Sequence, residues 1–263
     1  MNKVIRNLWI CLALAFLYAP ILILAFYSFT SATMIGTVRE FSLENYKTLF
    51  TTPELMDMIL GTLLLAIGVA LLSTILGTVG AIGSFYSHKR VRGAIEMSNQ
   101  IPVVNADVVT GFSVCILMIV IFHIRKDTFI PLVIGQTALC VPFVYLSVIP
   151  RLKKMDQSLY DAAMDLGCTQ GKAILRVTIP QIVPGITSGF MTAITLSLDD
   201  YFIATYTKPA TFDTISTYVV NATKGSQTSI KTALWALSTI IFVVVVLFVI
   251  GMNRIGAKKE VEK

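Results

Sequence analysis

Charge is what this sequence has least of. Asp, Glu, Lys and Arg make up 14% of its 263 residues, where soluble domains carry about a quarter. Such a chain cannot cover itself with polar surface, which excludes an ordinary soluble enzyme and a disordered segment. Paired cysteines are also missing. Cys11, Cys115, Cys140 and Cys168 form no CxxC motif, so free thiols are expected and a disulfide scaffold is excluded. The two histidines, His88 and His123, stand far apart, and no metal site is expected. No G-x-S-x-G or H-E-x-x-H signature occurs, so neither an enzyme nor a bound cofactor is expected.

What is abundant is apolar side chain, 55% of the total, at a mean hydropathy of +0.77. It falls into six stretches, at 8–29, 59–85, 101–124, 129–149, 182–205 and 232–252. At 1.5 Å rise per residue, each reaches about 30 Å, enough to cross a bilayer. The expectation is an all-α, polytopic membrane protein forming one domain over 1–263. The first stretch outruns a signal-peptide core and is read as a retained span.

Net charge is +6. In a membrane chain this excess marks cytoplasmic loops rather than a nucleic-acid surface. Fourteen Lys and Arg fall at the termini and in the loops after spans two and four, against seven on the other side. Both termini are therefore expected in the cytoplasm. Trp9 and Trp235 lie near span ends, as belt residues do. Ala66, Ala70, Ser73 and Gly77 share one helical face, which lets another helix approach. Pro131, Pro142 and Pro184 can kink their spans.

The connection at 151–180 is too long for a simple link. Leu159, Ala162, Ala163 and Leu166 have helical spacing over 158–166, and Gly167 can end that helix in the left-handed conformation. A second short helix is expected over 172–177, with Pro180 at the start of span five. Gly167, Gly171 and Lys172 imitate a phosphate-binding loop, but the spacing and the following Ala173 are wrong. ATP is not expected to bind here.

Asp161-Ala162-Ala163-x3-Gly167-x9-Val177-x-Ile179-Pro180 resembles the coupling loop of binding-protein-dependent ABC importer permeases. Asp161, Val177 and Ile179 stand where that family has Glu, Ile and Leu. The resemblance implies a type I ABC importer permease fold, in a bacterial inner (plasma) membrane. It also implies partners: two copies of an ATP-binding subunit, a second homologous permease chain and an extracytoplasmic substrate-binding protein. Asp161, Ala162, Ala163, Gly167 and Pro180 would form the ATPase-coupling site.

Three acids fall in or near spans, where carboxylates are costly: Asp107, and the pair Asp199 and Asp200. On one helix, adjacent side chains point about 100° apart, so one of the pair can face a pathway while the other meets a neighbour. Tyr201, Phe202 and Tyr206 follow. Carboxylates beside aromatic rings suit an organic ammonium and not an oxyanion. Asp107 can instead cap a broken helix.

Tyr18-x-Pro20, Phe41-Ser-Leu-x-x-Tyr46, Leu139-Cys-Val-Pro142-Phe143 and Ser197-Leu-Asp199-Asp200 resemble the second-permease branch of spermidine/putrescine importers over nearly the whole chain. Gly61 and Ala106 depart from that branch, which often has Asn and Pro there. The resemblance implies a polyamine importer permease, with Asp199, Asp200, Tyr201, Tyr206 and Asp107 along the substrate route. Another organic cation or a metal complex is the alternative cargo. A stand-alone channel or ion-coupled carrier would not need the coupling motif.

Overall fold

The computed structural model describes residues 3–31, 40–125, 127–224, 232–243 and 246. They form helices α1 (Lys3–Ser28), α2 (Glu44–Thr51), α3 (Pro53–Tyr86), α4 (Lys89–Val104), α5 (Asp107–Ile116), α6 (Ile130–Lys154), α7 (Gln157–Asp165), α8 (Gln170–Ala173), α9 (Ile179–Asp199), α10 (Phe202–Thr207) and α11 (Ile215–Lys224). A further apolar helix, α12, covers Thr232–Val243. No strand occurs among the described residues beyond an isolated bridge between Thr30 and Phe41.

Four helices are long and apolar enough to cross a membrane: Trp9–Ser28, Pro53–Tyr86, Ile130–Lys154 and Gln170–Asp199. A fifth crossing arises if the bent pair α4 and α5 counts as one span. Most of the stretch 244–252, which completes the sixth expected span, lies outside the described residues.

Several boundaries differ from the expectation, α3 starting at Pro53 rather than 59 and α6 running on to Lys154 rather than 149. The 101–124 stretch is not one straight helix: it breaks between Val104 and Asp107, and the two arms meet at 106°. Asn105 and Ala106 adopt extended backbone there, ψ 145° and 134°, which ends one ladder of hydrogen bonds and starts another. Span five begins earlier than 182 and ends earlier than 205. It runs without interruption from Gln170, widening into a π-helical turn at Ile174–Thr178, and stops at Asp199. Pro180 explains the wide turn. It has no N–H to donate back and its ring crowds the carbonyl four residues earlier, so the helix loosens rather than stops. Pro131 does not kink α6; it sits in its first turn, where no donor is needed.

Contacts divide the chain into two compact units, Met1–Asp57 with Val219–Lys263, and Met58–Tyr218. In the first, Asn45 Nδ2 donates to the carbonyls of Ser28 and Thr30, both at 3.0 Å, closing off the end of α1. Tyr46 and Ser28 hydroxyls meet at 3.0 Å, and the Trp235 ring packs on Tyr27. Phe16, Leu17 and Leu22 of α1 point outward, the apolar surface that a lipid-bathed helix presents.

The second unit holds the main core: Val69, Ala70, Cys140, Val144, Val148, Leu152, Ile182 and Ala193 are almost completely buried. The expected small-residue face of α3 is used. Ala66, Ala70 and Ser73 are buried, and a Cβ on Gly77 would come within 2.7 Å of Val144. Polar bonds inside this apolar packing pin the helices in register, the Ser84 and Tyr145 hydroxyls meeting at 2.9 Å.

Candidate functional site

Two places in the second unit carry the residues singled out in the sequence. The first is the helical knob at 151–180. Asp156 caps α7, its carboxylate accepting from the Ser158 N–H at 3.0 Å. That bond holds the Asp156 carboxyl below its ordinary value. At the other end the chain turns sharply. Gly167 N–H donates to Met164 O at 2.9 Å and Cys168 N–H to Ala163 O at 3.0 Å, the paired bonds of a Schellman cap. The turn requires φ +82° at Gly167, a conformation that glycine adopts without penalty.

Leu159 and Leu166 stand seven residues apart, and both are exposed, Leu166 at 87%. Asp161 and Ala162 are exposed beside them and Ala163 is half-buried. The apolar stripe of α7 therefore faces away from the core, against the usual orientation of an amphipathic surface helix. What fastens the knob is Tyr160, whose ring lies 5.1 Å from that of Tyr86 at the end of α3. The Tyr86 hydroxyl in turn meets that of Thr178 at 3.1 Å. Tyr160→Ala is expected to loosen α7 without unfolding the spans. Faster amide hydrogen exchange over 157–165, with unchanged exchange in α6 and α9, is the measurement that checks it.

The second place is the end of α9. Asp199 and Asp200 do not share a helix, because α9 ends at Asp199 and Asp200 takes extended backbone, ψ 112°. Asp199 is exposed and makes no hydrogen bond or ion pair within the described residues. Asp200 is 7% exposed and starts α10. Its Oδ1 accepts from Ile203 N–H and its Oδ2 from Ala204 N–H, each at 3.0 Å. Gln136 Nε2 of α6 donates to Oδ2 at 3.0 Å, and Ser197 Oγ donates to Gln136 Oε1 at 2.8 Å. This buried chain satisfies two orphan donors of α10 and ties it to α6 and α9.

Helix α10 lies tightly on α5: a Cβ on Gly111 would come 2.9 Å from the Ile203 Cα. Tyr206 packs its ring edge on Phe112, and its carbonyl accepts from Cys115 Sγ at 3.2 Å. Tyr201 is half-buried with its ring against Phe202. Asp107 is exposed in the first turn of α5, straight after the break. A carboxylate there complements the helix dipole. The fold thus gathers Asp107, Asp200, Tyr201 and Tyr206 around one junction of α5, α9 and α10. Gln136 was missed by sequence reasoning, and Ser197 was read only as part of the motif at 197–200. The usable signal was the amide itself, since a Gln in the middle of an apolar span needs a polar partner.

The sequence model for the binding-protein-dependent transport system inner membrane component matches residues 73–260. The putrescine transport system permease protein PotI of Escherichia coli K12 is 33% identical over 213 residues, covering 77% of this chain and 75% of PotI. The spermidine/putrescine transport system permease protein PotC of Haemophilus influenzae is 26% identical over 256 residues, covering 97% of this chain and 98% of PotC. Among solved structures, a chain of the bacterial alginate ABC transporter in complex with an alginate pentasaccharide-bound periplasmic protein superposes with a TM-score of 0.73. It is 20% identical, covering 95% of this chain and 93% of its own, and the likeness is one of fold. With its several apolar helices, this chain is a multi-pass membrane protein that belongs to the family of binding-protein-dependent transport system inner membrane components.

Proposed function

We propose that the chain is the permease subunit of an ATP-driven polyamine importer. The observation that carries this reading is the similarity to permeases of putrescine and spermidine transport systems, which reaches 97% of the chain in one case. The family match crosses both compact units, and we read them as one transmembrane domain with six spans. Both termini and the knob at 151–180 lie in the cytoplasm on the charge count. There the outward leucines of α7, with Asp161, Ala162 and Ala163, dock a separate ATP-binding subunit, two copies of which serve this chain and a second, homologous permease. An extracytoplasmic binding protein delivers the cargo. ATP is hydrolysed in the partner, and this chain supplies the route.

Within that route the exposed Asp199 and Asp107 attract the polycation, and Tyr201 and Tyr206 flank it. Asp200, whose oxygens are taken by Gln136 and α10, positions the junction. The Asp199→Asn variant is expected to lose most uptake while reaching the membrane at the normal level, because its carboxylate supports no fold contact. Unchanged uptake would remove Asp199 from the route.

The experiment that tests the function is uptake of labelled putrescine and spermidine in cells with and without this chain, the other subunits being present. Energy-dependent uptake of either should vanish on deletion. If both persist in a strain without other polyamine importers, the cargo is a different organic cation or a metal complex.

A further inference from the structure

A groove of about 880 Å³ opens between α3, α4 and α6. Leu76 and Gly80 of α3, Val91 and Ile95 of α4, and Val133 and Thr137 of α6 line it. The α4 residues are spaced as one helical face, so the groove runs along that helix. Most of the lining is apolar, and its polar side chains are Ser98, Asn99, Thr137 and Tyr145. Asn99 Nδ2 donates to Pro142 O at 3.3 Å and the Tyr145 hydroxyl meets that of Ser84, so these two polar groups are already satisfied within the chain.

One end of the groove is basic. Val91 follows Lys89 and Arg90 directly, both exposed and without an ion pair among the described residues. Arg92 pairs with Glu96 at 3.2 Å, and Lys153 of α6 lies 3.8 Å from the same carboxylate. One acid against these bases leaves the mouth positive. A polyamine is repelled there, so the groove is not part of the proposed cargo route.

Length narrows the occupant. Along α6 the lining runs from Val133 to Tyr145, about 18 Å at helical rise. That is a little over half of the roughly 30 Å hydrocarbon thickness. A helix crossing the bilayer needs a groove through the whole thickness. A hydrocarbon chain of one leaflet needs half, with its polar head at one end. We infer that this groove holds an acyl chain of an anionic phospholipid, its phosphate against Lys89 and Arg90. The charges select the headgroup, each Lys or Arg near the surface contributing about 1 kcal/mol toward an anionic lipid, and the apolar walls hold the tail.

The test uses the full-length chain, extracted with the assembly in which it resides into mild detergent and titrated in native mass spectrometry. The probes are palmitoyl-oleoyl phosphatidylglycerol and phosphatidylcholine, identical in their tails. Phosphatidylglycerol is expected to bind at about thirtyfold lower concentration, reflecting the two free cations. Gly80→Leu fills the groove, since a Cβ there meets nothing within 4 Å, and should abolish the tightest binding. Lys89→Gln with Arg90→Gln should erase the preference while leaving the tail site, and it decides the matter even if the leucine variant fails to fold. Equal binding of the two lipids to the unaltered chain would overturn the inference, as would a preference that survives both sets of substitutions. A cysteine crosslinker at Ala94→Cys that captures a second permease chain instead of lipid would also overturn it, by placing protein in the groove.

Discussion

Gly167→Val is expected to abolish most energised uptake while the chain still inserts and its spans still pack. The turn holds φ +82°, which costs an L-residue about 1–2 kcal/mol and a β-branched one more. That is roughly a five- to thirty-fold loss in the population of the native turn. The strain falls where α7 ends, so the Schellman bonds at Ala163 and Met164 are the first to go. Because a Cβ at Gly167 would meet nothing within 4 Å, crowding is not the cause, and Gly167→Ala should be intermediate. Transport of labelled putrescine, read beside co-purification of the ATP-binding subunit, separates the outcomes. Loss of both places the turn in the coupling surface. Normal uptake in the valine variant would mean that this knob does not transmit ATPase closure.

Asp200 is expected to be the most sensitive acid, for a structural reason. In Asp200→Ala, the N–H groups of Ile203 and Ala204 and the Nε2 of Gln136 all lose their acceptor. Removing a cap costs about 0.5–2 kcal/mol, and each buried donor left alone about 1–3. The junction of α9 and α10 should open, seen as a clear fall in the thermal midpoint of the detergent-solubilised protein. Asp200→Asn should be far milder. Its single oxygen keeps one of the two α10 N–H bonds while the other N–H loses its acceptor, and Gln136 can reverse its amide so that its oxygen faces the new Nδ2 and its nitrogen faces Ser197. Uptake therefore distinguishes the roles. A substrate-binding carboxylate would lose function equally in both variants, whereas a positioning one keeps much of it in Asp200→Asn. Asp199 should behave in the opposite way, sensitive to charge and silent in stability.

The features legible in the sequence are those set by local chemistry. Gly167 was readable because few other residues adopt the left-handed turn, and the α7 helix because its apolar residues repeat at helical spacing. The small residues of α3 were readable because close approach of another helix needs them. The break at Asn105 and Ala106 had one signal, Asp107 read as an acid able to cap a broken helix; the helix is broken there, but Asp107 stands in the first turn of α5 and makes no cap bond among the described residues. Pro180 suggested a helix start, yet a single π turn absorbs it and the helix continues through. The end of α9 was hidden for a different reason. Two adjacent acids look alike in sequence, and only Gln136, 64 residues earlier, tells Asp200 from Asp199.

The uninterrupted helix from Gln170 to Asp199 makes a rod of about 45 Å at helical rise. One tip abuts the knob and the other abuts the buried cap at Asp200. A rod that long turns a small tilt at one tip into a sideways sweep of several times the size at the other. It is soft at the wide turn at Ile174–Thr178, close to the knob, and again at Pro184, which has no N–H to donate. The far joint is held by directional hydrogen bonds, which resist sliding but permit rotation. The arrangement is that of a long lever with compliance placed near one end, close to the knob.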